Sequence, residues 1–306
     1  MIPFKIPWKK TIVLAGVSAL SLFIIFKTTV HVENFLDIIS RIDLRYFWLA
    51  FATLIPTVFL NAARWYFVLK AAGHQIPYRR VFFIVLNSTS LMVIPGRLGD
   101  LARAYPLRNT VPPEQAIGTI VLEKIVDVAT LLLFSGFGLF LLRFYRGSAV
   151  TLIAAAMVFP ALMISGRIIK ARHLKERVTA KLFDGFAILN QVRHHRFIFL
   201  LAITSSILNM GLSMVQFYWL LIAVHASVSL SAIFAFLPLC IFVGLIPLTL
   251  AGTGTRDAAL IYFFSAYALS GQVLSAGILY ALQGYWILSF LCLPLLYLFF
   301  KRSTSD

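Results

Sequence analysis

Charged side chains are scarce in this chain. Only 12% of its 306 residues are Asp, Glu, Lys or Arg, whereas 60% are hydrophobic, and the mean hydropathy is +0.91. Soluble domains contain about 25% charged residues, so this composition excludes an ordinary soluble protein. Several apolar runs reach the roughly 20 residues that a helix needs to cross a bilayer. The sequence therefore predicts an all-α integral membrane protein with several crossings.

Cysteine and histidine are also few, and each shortage excludes a kind of chemistry. Cys240 and Cys292 lie inside apolar runs without metal-like spacing, which argues against a metal site or a disulfide framework. All six histidines fall at the ends of apolar segments or between them, so no histidine-based active site is expected at the membrane centre. The sequence also contains no Walker motif. We therefore expect neither a metal nor a cofactor.

Acidic residues are outnumbered by basic ones, 11 against 27, which gives a net charge of +16. In a soluble protein this excess of positive charge would suggest binding to nucleic acid. Here most Lys and Arg lie between apolar segments, where they orient the protein and contact anionic lipid head groups. We therefore expect membrane lipids as partners, and no nucleic acid.

Six apolar segments are long enough for full crossings. The first lacks a small-residue cleavage site after its apolar run, so we expect it to be retained. An amphipathic segment at 31–45 is predicted to lie at the membrane interface. The predicted crossings are 11–30, 46–69 with a kink at Pro56, 114–142, 149–165, 197–224 and 272–300.

The distribution of basic residues predicts the orientation. With the N-terminus inside, 17 Lys and Arg lie on the cytoplasmic side and 5 on the opposite side. The positive-inside rule thus places both termini in the cytoplasm. The basic stretch 166–196 is predicted to contain a cytoplasmic amphipathic helix on the membrane surface. We expect a prokaryotic plasma-membrane protein.

Two shorter apolar hairpins are interrupted by Gly and Pro. The first has arms at 81–93 and 98–107. The second has arms at 231–249, which is predicted to be broken at Pro238 and Pro247, and at 258–268. The predicted turn residues are Pro95, Gly96 and Gly99 in the first hairpin, and Gly252 and Gly254 in the second. Segments this short are predicted to re-enter the membrane or to cross it incompletely.

The order of segments repeats within a single membrane domain, 1–306. Residues 11–142 form a first repeat and 149–300 a second one, and 143–196 contains the connecting crossing and the basic segment. Each repeat crosses three times, so the second one is inverted. Paired, interrupted segments in inverted halves indicate a transport site near the bilayer midplane.

Nine charged residues fall at predicted membrane depth, where each costs about 2.5–3.5 kcal/mol on insertion scales. They are Arg64, Arg97, Asp100, Arg103, Glu123, Lys124, Asp127, Arg256 and Asp257. These groups must pair or line water, and the one surplus positive charge suits a phosphate-bearing group. We predict that Asn61 and all nine except Lys124 form a transport site. Lys124 is predicted to be peripheral, since it points about 100° away from Glu123 around the helix. The alternative is that these charges form structural salt bridges.

Four motifs in this order resemble the lysylphosphatidylglycerol synthase/flippase transmembrane-domain family. They are Asn61-x-x-Arg64-Trp65, IPGRLGDLAR at 94–103, VLEKIVD at 121–127 and GTGTRDAAL at 252–260. The resemblance covers nearly the whole chain. It implies the inverted hairpin architecture and the movement of a phospholipid or polyprenyl-phosphate-type lipid between leaflets. Asp100 and Asp257 stand where many relatives have Glu, and the soluble aminoacyl-transferase domain of the bifunctional members is not found here, so no synthase activity is implied.

The sequence thus favours a lipid flippase-like transporter that is not an enzyme. In this hypothesis an anionic head group meets Arg97, Arg103 and Arg256, and the carboxylates hold those arginines in place or carry protons. Two alternatives stay open. One is a membrane-embedded enzyme or accessory protein that acts on a lipid-phosphate carrier in envelope or glycolipid synthesis, and the other is a scaffold for an envelope-polymer complex.

Overall fold

The computed structural model describes residues 8–30, 32–90, 98–171, 192, 194–246, 249, 252–292 and 294. Every regular element within these ranges is a helix, as the apolar composition predicts. The α-helices are α1 Trp8–Thr28, α2 Val32–Ser40, α3 Leu44–Ala52, α4 Leu54–Ala71, α5 Tyr78–Thr89, α6 Leu98–Ala102, α7 Pro113–Leu141, α8 Tyr145–Ala171, α9 Arg196–Ala223, α10 Leu230–Gly244, α11 Thr255–Phe264 and α12 Ser270–Ala281. A 3₁₀ turn, Tyr105–Leu107, follows α6, and a π-helical segment, Leu282–Ile287, continues α12.

Three described helical stretches are long and apolar enough to cross a membrane. They are Leu44–Ala71, Arg196–Ala223 and Ser270–Cys292. The pair formed by α1 and α2 passes the same test as one unit, with a bend of 93° between its two helices. Such a bend is expected where a crossing is followed by an interfacial helix. The prediction of a helical membrane protein is confirmed.

The second predicted crossing is interrupted at Thr53, between α3 and α4. Pro56 explains the position of this break. Its ring nitrogen carries no hydrogen, so it cannot bond the carbonyl of Ala52 four residues earlier, and the ring clashes with that carbonyl. The kink predicted from Pro56 therefore lies one turn before the proline.

Helix α7 packs closely against α8 and α10. Gly138 makes the approach to α10 possible, since a Cβ at this position would overlap the backbone of Phe234 and Ala235. Ser135 Oγ also donates a 2.9 Å hydrogen bond to the carbonyl of Ala235. The prediction that the second hairpin breaks at Pro238 is wrong: α10 continues through this residue, held by these contacts with α7, and ends at Gly244.

The hairpins differ from their predicted outlines in three respects. Gly99 lies inside α6 and not in a turn, and α6 has only five residues, so the second arm of the first hairpin is a short helix followed by a 3₁₀ turn. Helix α11 begins at Thr255, three residues before the predicted start of its arm. The turn of the first hairpin, 91–97, lies outside the described residues.

The connecting region and the last crossing are described in part. Helix α8 continues to Ala171, six residues past its predicted end, because the apolar pattern of 149–165 is extended by Ile168 and Ile169. The remainder of the predicted basic surface helix, 172–191, lies outside the described residues. The same holds for the end of the last predicted crossing, 295–300.

Candidate functional site

A cavity of about 620 Å³ opens between α4, α5, α6, α7, α8, α9, α10 and the last helix, Ser270–Cys292, which comprises α12 and its π-helical continuation. Most of its walls are apolar, with side chains such as Val58, Ile125, Leu131 and Met210. Ligand cavities in proteins have volumes of about 300–1,000 Å³. A mostly apolar chamber of this size, lined by helices of a membrane protein, suits part of a lipid. The charged residues among its described walls are Arg64, Asp100, Lys124 and Asp127.

The ionic cluster is built on one face of α7. Glu123 and Asp127 are four residues apart, so their carboxylates point the same way. Arg64 on α4 bridges them, since its Nε lies 3.1 Å from Glu123 Oε1 and its Nη1 donates to Asp127 Oδ1. Asn61, one turn before Arg64, accepts a 2.6 Å hydrogen bond from Arg64 Nη2. The structure thus brings together four of the predicted site residues, from α4 and α7.

Arg103 braces the first hairpin from behind the cavity. Its side chain is fully buried, and Nε donates to Ser88 Oγ of α5 at 2.9 Å. Nη1 lies 3.1 Å from Glu123 Oε2, and Nη2 lies 2.8 Å from Asp100 Oδ1, which shares the same short hairpin arm. The guanidinium also stacks over Trp65, 5.8 Å from the ring centroid. These contacts tie both arms of the hairpin to α4 and α7.

Lys124 belongs to the cluster, which corrects the prediction that it is peripheral. Its Nζ lies 3.1 Å from Asp100, 3.7 Å from Asp127 and 3.8 Å from Glu123. The flexible stem of a lysine carries the ammonium group around the helix, so the angle between neighbouring residues underestimates its reach. With 30% of its side chain accessible, Lys124 is also the most exposed cation of the cluster.

The described part of the ionic cluster has no net charge. The cations Arg64, Arg103 and Lys124 face the carboxylates of Asp100, Glu123 and Asp127. The surplus positive charge that the sequence predicts comes from Arg97. Arg97 lies outside the described residues, together with the predicted turn residues Pro95 and Gly96.

The second hairpin holds its own ion pair. Gly252 and Gly254 have positive φ angles of 75° and 99°, as a tight turn before α11 requires. Asp257 accepts a hydrogen bond from the Gly254 N–H at 3.0 Å and pairs with Arg256 Nη2 at 2.7 Å. Arg256 Nη2 also donates to the carbonyl of Gly277 on α12.

Neither member of this second pair is among the described residues that line the cavity. Arg256 is 2% exposed and Asp257 is fully buried. The guanidinium of Arg256 lies over the ring of Tyr280, 5.5 Å from its centroid, and Tyr280 lines the cavity. This pair therefore lies one side chain behind the cavity wall and fastens α11 to α12.

Sequence reasoning missed a row of uncharged polar residues on α9. Ser206 Oγ donates to Asp127 Oδ1 at 3.0 Å, and Gln216 Nε2 donates to Gln283 Oε1 of the π-helical segment at 3.0 Å. The row is visible in the sequence, because polar residues recur at helical spacing in an otherwise apolar stretch. Its members that line the cavity are Ser206, Asn209, Ser213 and Gln216. Metal-like groups of three or more His, Cys, Asp or Glu do not occur among the described residues.

Comparison with known proteins places the chain in a family. The model of the lysylphosphatidylglycerol synthase TM region matches residues 12–292. A relative, the UPF0104 membrane protein MJ1595 of Methanocaldococcus jannaschii, is 22% identical over 301 residues, with 89% of each chain covered. The family match spans the ionic cluster, the cavity walls and both hairpins. The chain therefore belongs to the lysylphosphatidylglycerol synthase transmembrane-region family, as the motifs in its sequence predict.

Proposed function

We propose that this protein is a lipid flippase-like transporter that moves an anionic lipid, a phospholipid or a polyprenyl-phosphate-type lipid, between membrane leaflets. The observation that carries the proposal is the cavity, which combines mostly apolar walls with an ionic cluster at one end. An amphipathic ligand matches this division, since its phosphate can contact the cations while its chains contact apolar surface. The proposal assigns no catalytic step to these residues.

The cations that meet the head group are Arg64 and Lys124, because both line the cavity. Arg103 and Arg256, which the sequence hypothesis assigned to this contact, act instead as braces for the two hairpins. An arginine such as Arg64 offers a planar set of donors to phosphate, whereas Lys124 provides a mobile point charge. The two cations thus have different tasks in one site.

Charge balance sets how the phosphate binds. The described cluster is neutral, so an entering phosphate competes with the carboxylates that already hold the cations. Lys124 is shared among three carboxylates at 3.1–3.8 Å and can exchange one of them for a phosphate oxygen without losing all its partners. Arg97, where the sequence places the surplus positive charge, is the further cation that favours an anionic ligand.

The transport hypothesis includes six crossings in two inverted repeats, with both termini in the cytoplasm of a prokaryotic cell. Two features support the repeat. The equivalent helices α4 and α9 pack against each other. In addition, Ser135 of α7 donates to the Ala235 carbonyl of α10, and Ser289 of the last helix donates to the Thr89 carbonyl of α5, both at 2.9 Å. The repeat makes α7 equivalent to the last helix and α10 equivalent to α5, so these two bonds are reciprocal, as a two-fold relation between repeats requires.

The test is a lipid translocation assay in proteoliposomes. Phosphatidic acid with a fluorophore on its acyl chain is followed by bleaching with a membrane-impermeant reductant. We expect the wild-type protein to move this lipid faster than protein-free vesicles do. Lys124→Gln should slow the movement about 10- to 100-fold, the factor that corresponds to a lost hydrogen bond to a charged group.

The matched control is Lys70→Gln, which removes the same charge from the exposed end of α4, outside the cavity. It should retain the wild-type rate. If the wild-type protein moves the lipid no faster than protein-free vesicles, or if both variants behave alike, the proposed site is wrong. Equal melting temperatures of the two variants show that the difference is not one of folding.

A further inference from the structure

One face of α9 carries a polar stripe, Ser206, Asn209, Ser213 and Gln216, that runs along the cavity. The intervals of three, four and three residues keep these side chains on one side of the helix. Ten residues of helix span about 15 Å. The stripe begins at the ionic cluster, where Ser206 bonds Asp127, and ends at the last helix, where Gln216 bonds Gln283. It thus connects the charged end of the cavity to a second, uncharged polar end.

The far end of the stripe is held in a fixed orientation. Gln216 Nε2 donates to Gln283 Oε1, and Gln283 Nε2 donates in turn to the carbonyl of Phe47 at 3.1 Å. Gln216 is 3% exposed and Gln283 is fully buried. Since Gln216 Nε2 donates to Gln283, the amide oxygen of Gln216 serves as an acceptor at this end of the stripe. The π-helical segment that carries Gln283 is a helical irregularity of a kind that often occurs at functional sites.

The middle of the stripe offers an acceptor that the described part of the protein does not satisfy. Asn209 Oδ1 is buried and has no hydrogen-bond partner among the described residues. A buried amide oxygen without a donor costs about 1–3 kcal/mol, so native proteins almost always satisfy such groups. Asn209 lines the cavity, so a ligand hydroxyl can supply the donor, and the amide NH₂ can donate back to a hydroxyl oxygen.

The chemistry of this end selects among ligands. Asn209, Ser213, Gln216, Tyr280 and Tyr285 line it, and none of these carries a charge at neutral pH. A second phosphate would therefore find no cation here. A ligand ammonium group is also disfavoured, because none of these five side chains is a carboxylate and the guanidinium of Arg256 already lies over the Tyr280 ring. Amides, hydroxyls and phenol rings are the groups that bind uncharged hydroxyl-rich molecules.

We propose that the α9 stripe binds an uncharged polyhydroxyl portion of the transported head group, such as a polyol or a sugar linked to the phosphate. This inference rests on the function proposed above and specifies its substrate class. The phosphate contacts Arg64 and Lys124, and the hydroxyl-bearing part extends along Asn209 and Ser213 toward Gln216. Aminoacylated head groups, with their ammonium charge, are poor ligands for this end.

The experiment compares two lipids with the same labelled acyl chains, phosphatidylinositol and phosphatidic acid, in the same proteoliposomes. The readout is the ratio of their translocation rates. We expect the wild-type protein to favour phosphatidylinositol about tenfold, because a site built for hydroxyls leaves its polar groups unpaired when they are missing. Asn209→Leu should bring this ratio close to one, and Ser213→Ala, a smaller change, should lower it severalfold.

Thr204→Val is the matched control, since Thr204 lies on the same helix and is exposed, and it is not among the described residues that line the cavity. It should keep the wild-type ratio. If both lipids move at equal rates in the wild-type protein, or if Asn209→Leu and Ser213→Ala keep the preference, the polyhydroxyl site is wrong while lipid transport stands. If neither lipid moves faster than in protein-free vesicles, the proposed function fails, and this inference fails with it.

Discussion

Replacing Arg103 by glutamine tests whether the fully buried arginine is a brace. Arg103 contacts Ser88, Asp100, Glu123 and the Trp65 ring, and none of its side chain is accessible. The substitution changes the charge of the described cluster from zero to minus one. It leaves two cations, Arg64 and Lys124, to serve three carboxylates.

The expected loss follows from burial. Removing one partner of a buried ion pair costs about 3–5 kcal/mol, because the other charge stays buried without compensation. Here Glu123 keeps Arg64 as a partner and Asp100 keeps Lys124, so we expect the lower end, about 3 kcal/mol. At about 2–4 °C per kcal/mol, the melting temperature should fall by roughly 6–12 °C.

Two further variants distinguish a bracing role of Arg103 from a general effect of the cluster's net charge on stability. Lys124→Gln makes the same change in charge, but this side chain is 30% accessible, so we expect a loss of only about 0–1 kcal/mol. Adding Asp100→Asn to Arg103→Gln restores neutrality and should recover part of the lost stability.

Melting temperatures of the purified proteins in one detergent, followed by intrinsic fluorescence, provide the measurement. An unchanged melting temperature in Arg103→Gln would refute this reasoning. So would equal losses in Arg103→Gln and Lys124→Gln, since burial would then make no difference.

Three other outcomes are expected. Gly138→Ala should lower the yield of folded protein and the melting temperature, because its Cβ overlaps the backbone of α10, and wild-type behaviour in a thermal assay would contradict that packing. Arg256→Gln leaves the fully buried carboxylate of Asp257 without its cation, so it should lower the melting temperature but keep the rate of lipid transport per folded molecule. Lost transport at wild-type stability would instead make Arg256 part of the transport site. In a cysteine-free background, an impermeant thiol reagent applied to intact cells should label a cysteine at the exposed position 146 but not one at the exposed loop position 75, and the reverse pattern would invert the proposed topology.

Hydrophobic periodicity predicted the long helices well. The segments 114–142 and 197–224 are helical as predicted, and their bounds agree with those of α7, Pro113–Leu141, and α9, Arg196–Ala223, to within one residue at each end. The ends of both helices are clear in the sequence, since polar residues or prolines flank each apolar stretch. The continuity of α10 through Pro238 could not be predicted, because it depends on tertiary contacts with Gly138 and Ser135.

The ionic cluster was predictable in part. The cost of a buried charge singles out Arg64, Glu123 and Asp127, and the four-residue spacing of the two acids places them on one face. The place of Lys124 was missed because a helical projection fixes the direction of Cβ and says nothing about a long flexible stem. Packing between distant helices decides which arginines line the cavity, and the patterns of a single sequence do not predict that packing.

The polar stripe of α9 was present in the sequence but was not recognised. Single Ser, Asn and Gln residues are tolerated in membrane helices, and only their common face makes them informative. The π-helical segment, Leu282–Ile287, has no comparable sequence signal. An added residue in a helical turn reflects the balance of contacts around it and not a local preference.

The central claim is that a lipid head group enters the cavity, and photo-crosslinking tests it most directly. A phospholipid with a diazirine on its head group is reconstituted with the wild-type protein, irradiated, and its attachment sites are mapped by mass spectrometry. We expect crosslinks at cavity residues beside the ionic cluster and along the polar stripe, such as Asn61, Ser206 and Asn209, and fewer of them when unlabelled phosphatidic acid competes. Crosslinks confined to outward-facing residues such as Phe137 and Leu208, each 53% exposed, would contradict the claim.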